Sequence, residues 1–196
     1  MIRTADHPVH PLFIDRWSPR SFDSSALSQA DLHTIFEAAR WAPSSSNIQP
    51  WRFLYAHRGD AAWSRFVSLL VPANQIWATS ASVLVMILSD RFYASRSGDL
   101  KESQSHSFDA GAAWMAMALQ ARLLGYDSHA MLGVDFDRAR AELRVPERFK
   151  FNAAVAIGRR AEAANLPDSL RERETPSGRN PVSSFAFGGG FPNAPA

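Results

Sequence analysis

Residues Trp41-Ala-Pro-Ser-Ser-Ser-Asn-Ile-Gln-Pro-Trp51 form the most distinctive stretch of this sequence. They separate a helical pattern that ends near Ala42 from a strand-like run that begins at Arg52. Pro43 and Pro50 restrict the loop at both ends, because a proline ring fixes its own φ and disfavours the α region for the residue before it. We expect the flanking tryptophans to anchor the loop and its hydroxyl and amide groups to recognise a flat polar ring. A polar loop that merely caps a helix explains these residues equally well.

The composition indicates a single globular domain. A chain of 196 residues, 46% of them hydrophobic, has room for one substantial core, so we expect one domain over residues 1–196. The absence of cysteine excludes disulfides, thiolate nucleophiles and cysteine-based metal sites. No apolar run is long enough to cross a bilayer and no charged leader opens the chain, so we expect a cytoplasmic protein without a membrane partner. The formal charge of +2, spread along the chain, argues against nucleic acid as a partner.

Helical and strand-like segments alternate along the chain, which predicts a layered α/β or α+β sheet. Ser28 is the expected N-cap of a helix that runs to about Trp41. The run Ser82–Leu88 is apolar without alternation, which is typical of a central strand covered on both faces. The Ala-, Met- and Leu-rich stretch Phe108–Leu124 predicts a buried helix that ends at Gly125. Further helices are expected over 60–70 and 136–143, and further strands over 52–57, 127–131 and 150–157.

Three segments are expected to be irregular. Pro72 is predicted to end the helix over 60–70, and Asn74–Trp77 to form a short loop. Asp90–Ser107 lacks periodicity, so we expect a mobile excursion or lid. From about residue 160 to 196 the chain is rich in proline, glycine and serine, which predicts an extended arm. The arm carries three phenylalanines that would be buried if it wrapped over a partner subunit; they are Phe185, Phe187 and Phe191.

Arg16, Ser18 and Arg20 alternate across a proline-containing turn. In an extended segment this spacing places both guanidinium groups and the hydroxyl on one side. Such a set suits a terminal phosphate, because arginine forms charge-assisted and often bidentate bonds to phosphate oxygens. Arg179 is a candidate third cation from the tail. Solvated surface arginines are the alternative interpretation.

Other catalytic patterns are missing. No strand is followed by Gly-x-Gly-x-x-Gly or by Gly-x-x-x-x-Gly-Lys-Ser/Thr, which disfavours a Rossmann or nucleotide triphosphate site. The histidines show no metal-ligand spacing, and no Gly-x-Ser-x-Gly elbow is present. If the protein is an enzyme, a bound cofactor is therefore expected to supply the chemistry.

Three stretches together resemble the FMN-dependent nitroreductases. Arg16-Trp-Ser-Pro-Arg-Ser-Phe-Asp23 is similar to their N-terminal Arg-x-Ser-x-Lys/Arg-x-Phe signature. Trp41–Phe53 resembles their Pro-Ser-Ser-x-Asn-x-Gln-Pro-Trp loop, which is the most specific of the motifs. Gly125–Gly133 is similar to their Gly-Leu-x segment with a following glycine turn. The resemblance covers Arg16 to about Gly158 in order, with a further match at Arg179.

The resemblance implies an α+β fold with a mixed central sheet flanked by helices, in a homodimer with an extended C-terminal arm. It implies FMN at the subunit interface and NADH or NADPH as co-substrate. Hydride would pass to flavin N5, and a nitroaromatic, quinone or similar acceptor would then be reduced by a ping-pong mechanism. No protein side chain is expected to be catalytic.

The resemblance also implies roles for individual residues. Arg16 and Ser18 would hold the FMN phosphate and ribityl chain, and Arg20 would lie near flavin N1 and O2. Asn74 would bind the pyrimidine edge. The other cofactor-binding residues would be Leu132 and Gly133 through backbone N–H groups to N5 and O4, Arg179 at the phosphate, and Pro43, Ser44, Ser45 and Asn47 from the other subunit.

Two departures from the family pattern leave alternatives open. Trp77 stands where some members have lysine, and Leu132 where many have an acidic residue. A flavin enzyme of another reaction, such as a dehalogenase or dehydrogenase, is the first alternative. A non-catalytic FMN-binding protein is the second. The physiological acceptor and the preference between NADH and NADPH are not predicted.

Overall fold

The computed structural model describes residues 3–192. Its main sheet contains four strands: β1 (Trp51–His57), β2 (Val83–Asp90), β5 (Asp127–Met131) and β6 (Phe149–Gly158). A two-stranded hairpin is formed by β3 (Phe92–Ala94) and β4 (Leu100–Glu102). The helices are α1 (Pro11–Asp15), α2 (Gln29–Arg40), α3 (Trp63–Ser68), α4 (Pro72–Ala78), α5 (His106–Leu123), α6 (Phe136–Glu142) and α7 (Asp168–Arg171). These elements confirm the predicted α+β class.

The main sheet has the order β1-β2-β6-β5, and its three strand pairs are all antiparallel. The four strands therefore do not form the mixed sheet that the family resemblance implied. In the chain, β2 is the next strand of this sheet after β1 and β6 the next after β5, and each of these two pairs is also adjacent in the sheet; β6 then joins β5 to β2. A register shift between Ile87 and Leu88 interrupts the pairing of β2 with β6.

Strand β2 is the centre of the core, as its unbroken apolar run predicts. All of its residues are buried, and successive side chains enter opposite layers. Leu84, Met86 and Leu88 pack in the layer that contains helices α3, α4 and α6. Val83, Val85 and Ile87 pack in the layer that contains α2 and α5. The sheet is thus covered by helices on both faces.

The ends of helices α2 and α5 follow from local chemistry. The Ser28 hydroxyl accepts a hydrogen bond from the Asp31 backbone N–H at 3.0 Å, which confirms the predicted N-cap of α2. Gly125 follows α5 with a φ of +80°, a conformation that costs glycine no side-chain clash. Helix α5 begins at His106, two residues before the predicted start.

The predicted helix over residues 60–70 is shorter than expected, and the predicted loop at Asn74–Trp77 is wrong. Helix α3 covers only Trp63–Ser68, and Asn74–Trp77 lies within helix α4 rather than in a loop. Pro72 begins α4 instead of only ending the preceding helix. A proline at the first helical position is favourable, because its missing N–H has no intrahelical partner there in any case.

The segment Asp90–Ser107 is not irregular as predicted. It contains the β3–β4 hairpin, whose strands pair Phe92 with Glu102 and Ala94 with Leu100. The strands are three residues each and mostly exposed, so the periodicity available in the sequence is too short to predict them.

The C-terminal region beyond Gly158 contacts residues near the start of the chain. Phe22 forms an isolated antiparallel bridge with Arg160, and the Val182 N–H donates a hydrogen bond to Asp6 Oδ2 at 3.0 Å. Residues 161–192 contain α7 and two short 3₁₀ turns but add no strand to the sheet. Across residues 3–192, no helix combines the length and the hydropathy that a membrane span requires.

Candidate functional site

The segment Arg16–Arg20 lies outside the helices and strands and leads into the bridge that Phe22 forms with Arg160, just after strand β6. Trp17 and Pro19 are buried, whereas Arg16, Ser18 and Arg20 are partly exposed, so the two sets point to opposite sides. Backbone bonds after this segment fix it to the sheet, because the Asp23 N–H donates to the Arg159 carbonyl and the Ala161 N–H to the Ser21 carbonyl, each at 3.0 Å. The predicted alternation of the two arginines and the serine is therefore present in the structure.

Three guanidinium groups meet beside this segment. Burial lowers the pKa of Arg16, and the positive charges of Arg179 and Arg3 lower it further. Burial and the charge of Arg179 also lower the pKa of Arg3, which donates to the carbonyl oxygens of Ile14 and Arg16. None of the three arginines forms a salt bridge within residues 3–192. Such a cluster favours an anion, which would relieve the mutual repulsion.

Asp127 offsets this cluster only in part, although its charge raises the pKa of Arg16. Its buried carboxylate lies 3.5 Å from Arg122 and 4.0 Å from Arg160, which already engage it. Desolvation raises the pKa of Asp127, and the neighbouring arginines oppose that rise. A cavity of about 350 Å³ lies beside Arg3, and its lining also includes Asp15, Trp17, Arg122 and Arg160. Three arginines and one carboxylate line this cavity, an excess of positive charge that favours an anion.

Asn74 and Gly133 meet although they are far apart in sequence. The Asn74 side-chain N–H donates to the Gly133 carbonyl oxygen at 3.1 Å, and the Val71 N–H donates to the same oxygen at 3.0 Å. A Cβ at position 133 would lie 2.8 Å from Val71 Cγ2 and would overlap the Asn74 amide. Glycine is required here because helix α4 approaches the turn after β5 so closely.

Leu132 and Gly133 offer backbone donors at the surface. Their carbonyl oxygens accept hydrogen bonds from Val134 and Val71, whereas neither of their N–H groups donates a bond within residues 3–192. The Leu132 side chain is 71% exposed. Unsatisfied N–H groups of this kind are available to the acceptor atoms of a ligand. Contact through the backbone does not depend on the identity of residue 132.

His129 connects the Arg16–Arg20 segment to helix α4, and it was not identified from the sequence. Its Nδ1 lies 3.0 Å from the Pro19 carbonyl oxygen, and its ring centroid lies 4.7 Å from that of Trp77. Desolvation lowers the pKa of His129, so the ring is neutral and donates its Nδ1 proton to Pro19. A lone histidine in a strand carries no sequence signal that would distinguish it from any other packed side chain.

Trp77 belongs to the core rather than to a ligand surface. It is buried and packs against Phe22 and His129, with ring centroids 6.4 and 4.7 Å away. The position that carries lysine in some relatives therefore contributes neither a charge nor an exposed ring. Arg20 is the cation whose charge lowers the pKa of the buried His129 ring further.

Glu174 holds the Arg16–Arg20 segment from the tail and was also missed. Its carboxylate accepts the backbone N–H groups of Arg20 and Ser21 at 2.6 and 2.9 Å. Arg20 Nη1 lies 3.7 Å from the second carboxylate oxygen, and the Glu174 side chain is only 3% exposed. The contact spans 154 residues of sequence, so no local pattern could indicate it.

The loop between α2 and β1 is exposed and has a strained backbone. Ser46, Asn47 and Gln49 adopt φ values of +48°, +56° and +53°. Left-handed φ values cost energy in residues other than glycine, and such strain concentrates at functional sites. The Ser44 hydroxyl accepts the Gln49 N–H at 3.0 Å, while the Ser45 N–H donates to buried Asp109 at 3.3 Å.

Only one of the two tryptophans anchors this loop. Trp51 is buried, but Trp41 is 74% exposed and packs only on its own helix, where Nε1 donates to Glu37 at 2.9 Å. The prediction that both rings anchor the loop was therefore wrong for Trp41. No sequence rule distinguishes them, because burial depends on where the helix ends relative to the sheet.

The predicted cofactor-binding residues thus form two groups. One group combines the segment at residues 16–20, the Asn74–Gly133 contact and Arg179. The second group consists of Pro43, Ser44, Ser45 and Asn47. It contacts the start of α5 through the bond from Ser45 to Asp109. Within residues 3–192, no hydrogen bond joins this group to the first. A cavity of about 580 Å³ against β1 and α6 contains none of the predicted residues. The described residues also contain no cluster of histidine and carboxylate side chains that could hold a metal ion.

Solved structures with a similar overall fold include proteins that contain FMN. A crystal structure of an oxidoreductase containing FMN shares 50% sequence identity and superposes with a TM-score of 0.95, covering 98% of this chain and 97% of the other. A protein of Desulfovibrio desulfuricans solved in complex with FMN shares 26% identity at a TM-score of 0.71, covering 96% of this chain and 100% of the other.

Sequence comparison points the same way. The protein DrgA of Synechocystis is 27% identical over 199 residues, which cover 87% of this chain and 90% of DrgA. The model of the nitroreductase family matches residues 14–70 and 61–159. These matches span the arginine segment, the strained loop, Asn74 and the turn at Gly133. The chain therefore belongs to the nitroreductase family.

Proposed function

We propose that the protein is an FMN-dependent oxidoreductase that takes electrons from NADH or NADPH and passes them to a nitroaromatic, quinone or similar small acceptor. The observation that carries this proposal is the cluster of Arg3, Arg16 and Arg179, none of which forms a salt bridge among the described residues. A terminal phosphate is the anion that this cluster suits best, because guanidinium groups bind phosphate oxygens with directional, charge-assisted bonds.

The remaining donors fit the rest of the cofactor. Ser18 is partly exposed beside Arg16, where a hydroxyl can bind a ribityl chain. The N–H groups of Leu132 and Gly133 and the amide of Asn74 would bind the polar edge of the flavin ring. When bound, FMN would supply the hydride and electron transfer between nicotinamide and acceptor, in a ping-pong sequence. The protein contributes orientation and electrostatics, and no side chain acts as a nucleophile.

Arg20 is the residue that would influence the ring charge. A cation close to the pyrimidine edge stabilises the negative charge of the reduced flavin. Because Trp77 is buried, position 77 gives no such help in this chain. Arg20, whose side chain is 21% exposed, would then be the residue that stabilises this charge.

A homodimer is part of the proposal. The group around Asn47 lies apart from the arginine segment within one chain, so a second copy would bring the two groups to one flavin. An exposed apolar stripe on helix α5 supports this assembly, since its members recur at the spacing of one helix face. The stripe contains Phe108, Met115 and Leu123. The exposed Phe185 and Phe191 of the tail would be covered by the same association.

The proposal is tested by recording the visible spectrum of the purified protein after incubation with FMN, before and after anaerobic addition of NADH or NADPH. Flavin bands that remain with the protein and then bleach are expected. Light scattering on the same sample should report twice the chain mass. Failure to retain FMN would overturn the proposal. If FMN is retained but neither NADH nor NADPH bleaches its bands, the protein binds FMN without being a reductase.

A further inference from the structure

The contact between Glu174 and Arg20 places an anion beside the cation that we assign to the flavin ring. The Glu174 side chain is 3% exposed and lies 3.7 Å from Arg20 Nη1. A buried carboxylate and a guanidinium at this distance interact more strongly than an exposed pair, because little water screens them. The positive charge of Arg20 is therefore partly offset before any ligand arrives.

The same carboxylate also shapes the backbone of the arginine segment. One oxygen accepts two consecutive N–H groups, from Arg20 at 2.6 Å and from Ser21 at 2.9 Å. Two bonds to an ionised acceptor hold the direction of the chain at this point. The tail residue thus sets both the position and the effective charge of Arg20.

The surroundings contain one further titratable ring. His129 is hydrogen-bonded to the Pro19 carbonyl oxygen, and the charges of both Arg20 and Glu174 influence its pKa. Burial keeps this imidazole neutral, so it adds no compensating cation. The two charges that influence this ring are therefore one guanidinium, of Arg20, and one carboxylate, of Glu174.

We propose that Glu174 is a positioning residue that holds Arg20 and lowers the reduction potential of the bound flavin by offsetting the Arg20 charge. This inference rests on the proposed binding of FMN. An ionised carboxylate close to the site disfavours the extra negative charge of the reduced ring, whereas a neutral amide of the same shape does not. The C-terminal region would thereby tune the cofactor without touching the electron acceptor.

Four variants separate this idea from a purely structural role. Glu174→Gln keeps an acceptor for the two N–H groups and removes the charge, so the midpoint potential of bound FMN should move to a more positive value. Arg20→Gln leaves the carboxylate unopposed, so the potential should move to a more negative value. The double variant removes both charges and should return close to the wild-type potential. Glu172→Gln is the matched control, because Glu172 is exposed and two residues away.

The potentials are measured by spectroelectrochemical titration of the FMN-loaded proteins, after circular dichroism has confirmed folding. If Glu174→Gln and Glu172→Gln have the same potential, or if the double variant behaves like Arg20→Gln alone, the inference is overturned while the proposed function stands. A wild-type protein that retains no FMN would overturn both. If Glu174→Gln does not fold, the comparison of Arg20→Gln with the double variant decides the question, since removing both charges leaves no buried carboxylate unpaired.

Discussion

The Asn74 side-chain amide donates a hydrogen bond to the Gly133 carbonyl oxygen across 3.1 Å, and this contact joins helix α4 to the turn after β5. The two residues are 59 positions apart in the chain. Their contact brings an amide and two free backbone N–H groups to one place. The approach is possible only because residue 133 has no side chain.

Gly133→Ala is expected to destabilise the protein by about 1–3 kcal/mol, the usual cost of forcing extra volume into a packed site. The new methyl would lie 2.8 Å from Val71 Cγ2 and overlap the Asn74 amide. Urea unfolding measures the difference. Gly188→Ala is the control, because a Cβ there meets nothing within 4 Å. Equal unfolding midpoints for the two variants would contradict a close approach of Val71 and Asn74 to residue 133.

Arg16→Gln and Arg179→Gln are each expected to weaken FMN binding by about 10- to 100-fold, as is typical when a charge-assisted bond is lost. The two effects should be less than additive in the double variant, because both residues would bind one phosphate. Fluorescence quenching of FMN measures the affinity. Arg173→Gln serves as control, since Arg173 is exposed and forms no salt bridge within residues 3–192. A loss of the same size in this control would exclude a specific phosphate site.

His129 is expected to make stability fall as the pH drops. Its pKa in the folded protein is lowered from 6.5, so the unfolded chain binds the proton first. The stability is therefore complete above about pH 6.5 and decreases as the pH falls below it. The fall in melting temperature between about pH 7.5 and 5.5 should be smaller for His129→Gln than for the wild type.

Other titrating histidines do not affect the comparison of wild type with His129→Gln. Burial also lowers the pKa of His106, but this contribution is the same in wild type and in His129→Gln. His7→Gln is the control, since His7 is exposed. Identical pH profiles for wild type and His129→Gln would contradict the assignment of a neutral, hydrogen-bonded ring.

Ser46→Gly is expected to be more stable than Ser45→Gly by about 1 kcal/mol, because glycine adopts left-handed φ values without a steric penalty. Ser46 has a φ of +48°, whereas Ser45 is not among the residues with positive φ. Thermal unfolding of both variants gives the difference. A more stable Ser45→Gly would mean that the loop is not strained at position 46.

Elements that obey a local rule could be predicted from the sequence. The unbroken apolar run of β2 indicated a strand with both faces covered, and the side-chain chemistry of Ser28 indicated the start of α2. The position of Asn74 was predicted in the wrong element, because a proline ends one helix and begins another equally well. The segment at Arg16 and Arg20 was recognisable because its charged residues alternate.

The parts of the site that could not be predicted depend on contacts between distant residues. Glu174 reaches Arg20 across 154 residues, and nothing in the surrounding Arg-Glu-Arg-Glu sequence distinguishes it from exposed Glu172. Arg3 joins the guanidinium cluster only because the chain start folds back on Arg16. Such contacts follow from the tertiary fold, which brings the tail and the start of the chain to the same end of the sheet.

The most direct test of the account compares the affinity of the wild-type protein for FMN and for riboflavin, which differ only in the phosphate. The cluster of Arg3, Arg16 and Arg179 predicts that FMN binds at least about 100-fold more tightly, because several charge-assisted bonds depend on the phosphate. It also predicts that the difference narrows as salt is added. Equal affinity for the two flavins would contradict a phosphate site at these arginines.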